Sequence, residues 1–233
     1  MATILLTGAS RGIGAAARSA LIAAGHHVIG QSTAGGDGLI AADFAQAHAA
    51  DALWAQALAQ SNGRIDVLVN NAGVFEAADP ADAPAFANAW ARSLAINLQS
   101  AADLCRHAVL HFLQNGGGRI INVASRAGHR GDSPMHWHYA AAKGGMLAMT
   151  KSIARGYAAR NILAFAITPG FTMTGMAEEY LSSRGGDKLL ADIPLGRVAD
   201  AAEVAETIRW LASEAPASLT GATLDINGAS YVR

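Results

Sequence analysis

Short apolar runs alternate with longer stretches of helical period along this chain. Ile4-Leu5-Leu6 predicts a first strand, His27-Val28-Ile29 a second, Leu39-Ile40-Ala41 a short third and Ile65 to Val69 a fourth. Arg119 to Val123, Ile162 to Ile167 and Ala222 to Ile226 predict three more. Between them, residues 15–24, 44–60, 86–113, 139–159 and 201–213 read as helices. Gly25 suits the C-terminal cap of the first helix.

Strands that alternate with helices imply a parallel sheet covered on both faces. The strands are continuous apolar runs, as burial on two faces requires. The expected fold class is therefore α/β: a seven-stranded parallel sheet with helices on both faces, in one domain over residues 1–233. One connection departs from this pattern. Only about seven residues, Ser32 to Gly38, join the second and third strands. A parallel crossover normally needs a dozen or more, usually with a helix. That helix is missing here.

Composition narrows the class. Of 233 residues, 52% are hydrophobic and 15% charged, which fits a well-buried domain and argues against disorder. The net charge of -1 leaves no electrostatic footprint for nucleic acid or membrane. The single cysteine, Cys105, excludes a disulfide framework within the chain and reads as a small core or interface residue. The apolar start ends at Gly8 and Arg11, too early for a secretory leader, and no apolar run reaches membrane-spanning length. A cytoplasmic protein with neither nucleic-acid nor membrane partners is expected.

Candidate chemistry begins at the first turn. Thr7-Gly8-Ala9-Ser10-Arg11-Gly12-Ile13-Gly14 lies between the first strand and first helix. Glycines there permit a tight turn and let backbone N–H groups approach a pyrophosphate, with the helix N-terminus adding positive charge. The spacing is G-x-x-x-G-x-G rather than the common G-x-G-x-x-G. NAD sites usually carry an acidic residue at the end of the second strand. Here the segment is Ile29-Gly30-Gln31-Ser32-Thr33, with no carboxylate before Asp37. Arg11, in the adjacent turn, suits a 2′-phosphate. NADP(H) is the expected cofactor, with NAD(H) as the alternative.

Tyr139-Ala140-Ala141-Ala142-Lys143 places two side chains at i and i+4, on one helix face. A free tyrosine titrates near pH ~10 and is a poor acid–base catalyst at neutrality. A nearby ammonium favours the phenolate, so Lys143 is expected to lower the Tyr139 pKa.

With these residues in place, the chain resembles the short-chain dehydrogenase/reductase family over essentially its whole length. The glycine turn, Asn70-Asn71-Ala72-Gly73, Asn97, Ser125, Tyr139-x-x-x-Lys143 and Pro169-Gly170 occur in the family's order. Each is weak alone; the ordered set is specific. The wording of Thr7 to Gly14 and of Leu224-Asp225-Ile226-Asn227-Gly228 is most similar to bacterial 3-oxoacyl-(acyl carrier protein) reductases.

The resemblance implies a Rossmann-type doubly wound fold and a catalytic set of Asn97, Ser125, Tyr139 and Lys143. Ser125 would orient and polarise a carbonyl, and Tyr139 would exchange a proton with it. Lys143 would tune Tyr139 and hold the ribose. Asn97 would anchor a water that relays protons to Lys143. The cofactor would lie on Gly8, Ser10, Arg11, Gly12, Ile13 and Gly14. Asp43 and Phe44 would sit beside the adenine, with Asn71, Ala72 and Gly73 along its length. Tyr139, Lys143, Pro169, Gly170 and Thr172 would meet the nicotinamide end. Thr174 would reach phosphate, and Thr33 with Arg11 a 2′-phosphate.

The segment from Arg126 to His138 is one residue longer than the family's usual spacing and rich in His, Arg and Trp. In the family it borders the substrate, so Arg126, His129 and Arg130 suggest a polar or anionic one. His136-x-His138 lacks a third ligand at recognisable spacing, and no metal is expected. Arg160 matches a family position for docking an acidic carrier protein, but Leu113 to Gly118 lacks the usual basic cluster. Residues of about 173–195 are expected to form a substrate lid. Family members are commonly built across two long helices, here about 98–113 and 140–158, so a homo-oligomer, tetramer or dimer, is expected.

The leading expectation is an enzyme that transfers a hydride between NADP(H) and a carbonyl or secondary alcohol, of the 3-oxoacyl or related ketone type. A second is an NAD-dependent dehydrogenase of a hydroxy acid or polyol. A third, of another class, is a non-catalytic dinucleotide-binding protein. The intact Asn97, Ser125, Tyr139 and Lys143 argue against the third.

Overall fold

The run Thr3–Leu6 forms β1, at the centre of a seven-stranded sheet. The computed structural model describes residues 1–173 and 186–233. β1 pairs in parallel with β2 (His27–Ser32) on one side and β4 (Val67–Asn70) on the other. The short β3 (Ile40–Ala41) edges β2; β5 (Gly118–Val123), β6 (Ile162–Pro169) and β9 (Thr223–Ile226) continue beyond β4. The order is β3-β2-β1-β4-β5-β6-β9, and every pairing is parallel. The strand order reverses between β1 and β4. In a doubly wound sheet the crevice at the C-terminal ends of such strands is where ligands bind.

Alternate side chains of each strand feed two cores. Leu5, Leu68 and Ile120 pack with Leu53 and Trp54 of α2 (Ala49–Gln60) and with Leu104 and Phe112 of α4 (Ser100–Gln114). Ile4, Leu6, Val69 and Ile121 face the other way, onto Leu21 of α1 (Gly12–Ala23) and Val204, Ile208 and Leu211 of the helix Ala201–Ser213. Each fully buried side chain of this size stabilises the fold by about 1.5–3 kcal/mol, which is why strands buried on both faces are apolar throughout.

The connection from β2 to β3 has no helix, as its length predicts. It turns back through an antiparallel bridge between Gly36 and Leu39, and β3 keeps two residues in register with Gln31 and Ser32. Two helices differ from their sequence pattern. The helix expected over 44–60 begins at Ala49, because Asp43 closes a turn first: its carboxylate accepts the Ala45 N–H at 3.0 Å and its carbonyl the Gln46 N–H. The long helix expected over 86–113 is three pieces. α3 (Ala83–Leu94) passes into a π-helical turn, Ala95–Gln99, and then α4. A π turn inserted in a helix changes which residues face inward, and this one holds Asn97.

α5 (Ala127–Arg130) and α6 (Trp137–Tyr157) flank the sheet beyond β5. β7 (Thr172–Met173) pairs with β8 (Ala199–Asp200), a two-stranded element the sequence pattern did not suggest. α7 (Gly186–Ala191) precedes β8, and α8 is the Ala201–Ser213 helix. Of the lid expected at about 173–195, residues 174–185 lie outside the described residues, Thr174 among them. Among the described residues, no helix is long and apolar enough to cross a membrane.

Candidate active site

The glycine turn is tied down from both neighbouring strands. The Gln31 side chain accepts the Gly8 N–H at 2.8 Å and donates to the Ala42 carbonyl at 2.7 Å. The Thr7 hydroxyl accepts the backbone N–H groups of Asn71 and Ala72, at 2.9 and 3.0 Å, and the Asn71 amide donates to the Thr7 and Gly8 carbonyls. Gly14 is required by space: a Cβ there would sit 1.9 Å from the Gly8 oxygen and 2.6 Å from Asn71 Nδ2.

α1 is preceded by Arg11 as its N-cap, with no side chain capping its first N–H groups among the described residues. Those orphan donors open onto a cleft of about 640 Å³. The cleft brings together Gly8, Ser10, Arg11, Gly12, Ile13 and Gly14 from the turn, Thr33 after β2, Asp43 and Phe44 after β3, and Asn71, Ala72 and Gly73 after β4. Uncapped helix donors, a steric requirement for glycine and an adjacent long cleft fit a dinucleotide pyrophosphate. Tyr139, Lys143, Pro169, Gly170 and Thr172 do not line this cleft; they lie further along the same sheet edge, on β6, β7 and α6. Sequence reasoning missed Gln31, Ser32, Val74, Arg92 and Ile96, which line it. Gln31 had a signal, a polar side chain ending a buried strand. Arg92 had none, because its place depends on how α3 packs.

Beyond β5, Ser125 and Tyr139 meet because α5 presses onto α6. A Cβ at Gly128 would lie 2.8 Å from the Lys143 carbonyl carbon and 2.9 Å from the Gly144 nitrogen, so only glycine allows this approach. The Ser125 hydroxyl accepts the Ala127 N–H at 3.1 Å and faces the Tyr139 phenol closely enough to favour its phenolate. Burial pushes the Tyr139 phenol above its ordinary value; the Ser125 hydroxyl opposes this, and the Asp132 charge adds to the rise. The net shift of the phenol is therefore upward, where a neighbouring ammonium by itself would lower it. The Lys143 ammonium lies 5.8 Å from the phenol ring centre and donates to the Val123 carbonyl at 2.8 Å. Burial lowers its own pKa to about 8.

Asn97 is fully buried. Its amide donates to the Val74 carbonyl at 3.0 Å and to the Ser93 hydroxyl at 2.9 Å, and its oxygen accepts the Val74 N–H at 3.0 Å. The side chain is thus committed to the protein, and it fixes the chain just after Gly73. A Cβ on Gly73 would lie 2.8 Å from Asn97 Oδ1 and 3.7 Å from Lys143 Nζ. Gly73 therefore stands between the two residues.

A buried polar network underlies this corner. Asn70 Nδ2 donates to Asn122 Oδ1 at 2.9 Å across paired strands, and Asn122 donates to Thr150 Oγ1 of α6 at 2.8 Å. Cys105 accepts from Asn70 at 3.3 Å, and burial pushes its thiol up to about 12, so it is an inert core residue. Above the site, the His136 ring stacks on Phe75 at 3.9 Å, and Phe75 meets Tyr139 edge-on at 4.8 Å. His136 is also bonded to the Ser133 hydroxyl at 2.7 Å, and His138 is buried.

Comparison with known proteins agrees with this geometry. A family model described as enoyl-(acyl carrier protein) reductase matches residues 8–229. The 3-oxoacyl-(acyl-carrier-protein) reductase FabG of Vibrio cholerae is 34% identical, over 98% of this chain and 96% of that protein. FabG of Escherichia coli is 33% identical over the same shares. The 3-oxoacyl-(acyl-carrier-protein) reductase of Synechocystis is 37% identical, over 96% of this chain and 94% of that protein.

Proposed function

The chain belongs to the short-chain dehydrogenase/reductase family, NAD(P)-dependent oxidoreductases acting on CH–OH and carbonyl groups, and on that premise we propose that it is an NADP(H)-dependent reductase of a ketone, the reaction its relatives' names describe. The observation that carries this reading is the corner of Ser125, Tyr139 and Lys143 at the end of β5, beside a cleft suited to a dinucleotide. The whole chain acts as one domain.

The bound nicotinamide would supply or accept the hydride. The protein supplies position and protons. Ser125 holds the carbonyl oxygen against the Tyr139 phenol, which donates its proton as the oxygen gains charge. A phenol kept protonated by burial is suited to donate rather than to wait as a phenolate. Lys143, with its pKa near 8, can return a proton close to neutral pH. Asn97 and Gly73 bound the route to it, and because the Asn97 side chain is already committed, a relaying water would be held there through main-chain groups.

The preference for NADP(H) rests on charge. Arg11 and Thr33 line the cleft and would meet a 2′-phosphate there, while β2 offers Gln31, whose amide is turned into the glycine turn. Asp43 is engaged with the Ala45 N–H. A homo-oligomer across α4 and α6 would cover Leu110, which is exposed.

The test is a nucleotide-oxidation screen over β-keto esters, keto acids, sugars and quinones, run with NADPH and with NADH. Reduction of a ketone with NADPH at a kcat/KM at least tenfold above NADH is expected. Tighter NADH use would overturn the cofactor assignment, and no turnover with either would overturn the function.

A further inference from the structure

The residue directly after Ser125 is an arginine, and its surroundings are not those of a surface cation. The Arg126 side chain is only 11% exposed. Its backbone N–H donates to the Pro169 carbonyl at 3.2 Å, which pins it across the C-terminal ends of β5 and β6. Its guanidinium lies 5.2 Å over the Phe171 ring. Among the described residues its side chain has one hydrogen bond, a long one of 3.3 Å to Asp192 Oδ2.

Arg130 is four residues on, on the same face of α5. It donates to that same Asp192 oxygen at 2.9 Å and to the Ser230 carbonyl at 2.9 Å. Two guanidiniums therefore share one oxygen of one carboxylate. Asp132, the other carboxylate acting on Arg126, is turned to the Ser133 N–H at 2.7 Å. A guanidinium presents paired donors that match both oxygens of a carboxylate, and Asp192 leaves that match unused. Asp192 is also half-exposed and can turn to water, whereas Arg126 is held by Phe171 and the Pro169 carbonyl.

We propose that Arg126 is the anchor for a substrate carboxylate and that Asp192 is an internal anion which the substrate displaces from it, leaving Asp192 with Arg130. The proposal rests on the reading of Ser125 and Tyr139 as the carbonyl site and names its substrate class. Because Arg126 follows Ser125 directly, the anion would lie within about one arginine side chain's length of the carbonyl. That describes a short oxo acid, or the matching hydroxy acid in reverse, rather than a long neutral thioester.

The experiment compares matched pairs that differ only in charge: acetoacetate with methyl acetoacetate, and pyruvate with methyl pyruvate. The wild type is expected to favour each acid by about tenfold or more in kcat/KM, the scale of one charge-assisted pair. R126Q raises KM for the acids about tenfold more than for the esters, R126K recovers part of this, and D192N lowers KM for the acids. Esters used as well as acids by the wild type, or equal losses on both in R126Q, would overturn the proposal. A second arm measures acetoacetate binding calorimetrically in the Tyr139→Phe protein with and without R126Q. If no ketone of any kind is reduced, the enzymatic reading falls, and this arm still decides the anchor: binding lost with R126Q sustains it, while absent or unchanged binding overturns it.

Discussion

The glycine turn after β1 and the Ser125 corner after β5 sit on the same edge of one sheet, yet they present opposite kinds of chemistry. The turn offers backbone N–H groups, held in place by neutral side chains: Thr7, Gln31 and Asn71. Nothing in it needs to titrate. The corner offers ionisable side chains held in place by burial, with Lys143 lowered to about 8 and the Tyr139 phenol raised. Backbone donors cost little to aim, because the helix start would leave them unpaired anyway. A buried ammonium costs a great deal, and that cost is what moves its pKa towards neutrality. On the proposed function, the first device would recognise a fixed charge and the second would move a proton.

The largest effect that separates the two ends is expected from Tyr139→Phe. Turnover should fall by about 10³-fold, the scale of general acid catalysis, while fluorescence titration still detects nucleotide binding. Near-normal turnover would remove Tyr139 from the chemistry, and lost binding would move it to the nucleotide end.

Next comes Gly14→Ala, which strikes the backbone end alone. A Cβ 1.9 Å from the Gly8 oxygen cannot be accommodated without shifting the turn. Nucleotide affinity should weaken by about a hundredfold, at the upper end of overpacking costs. Unchanged affinity would mean that the turn is not where the pyrophosphate lies.

The smallest is a pH effect from Lys143→Met, read by denaturant unfolding without nucleotide. Below pH 8 the lysine is protonated in both folded and unfolded chains, and folding bears the cost of burying its charge. Between about 8 and its ordinary value of 10.5, the unfolded chain binds the extra proton, so wild-type stability rises with pH. From pH 7 to pH 10 the wild type should gain about 2 kcal/mol on Lys143→Met. A flat difference would show that burial does not hold Lys143 near 8.

Much of this was legible in the chain. Apolar runs marked all seven strands of the sheet, and the seven residues between β2 and β3 foretold a crossover without a helix. These features depend on local spacing, and burial on two faces writes itself as continuous hydrophobicity. The glycine turn and the Tyr139–Lys143 pair were legible for the same reason, since each is a short-range constraint. The late start of α2 was not, because the Asp43 turn competes with a helix through one side-chain bond that periodicity does not register. Nor was the π turn, which changes the direction of Asn97 without changing the residues around it.

The sequence by itself determined the fold class, the seven strands of the main sheet, the place of the glycine turn and the spacing of Tyr139 and Lys143 on one helix. Only the tertiary structure decided what surrounds them. It turned Lys143 towards the Val123 carbonyl, raised the Tyr139 phenol through burial, committed Asn97 to Val74, and set Arg92 in the cleft and Asp192 against Arg126. Each of these joins segments far apart in the chain. Their energies come from desolvation and from charges meeting across elements, and neither exists until the chain has packed.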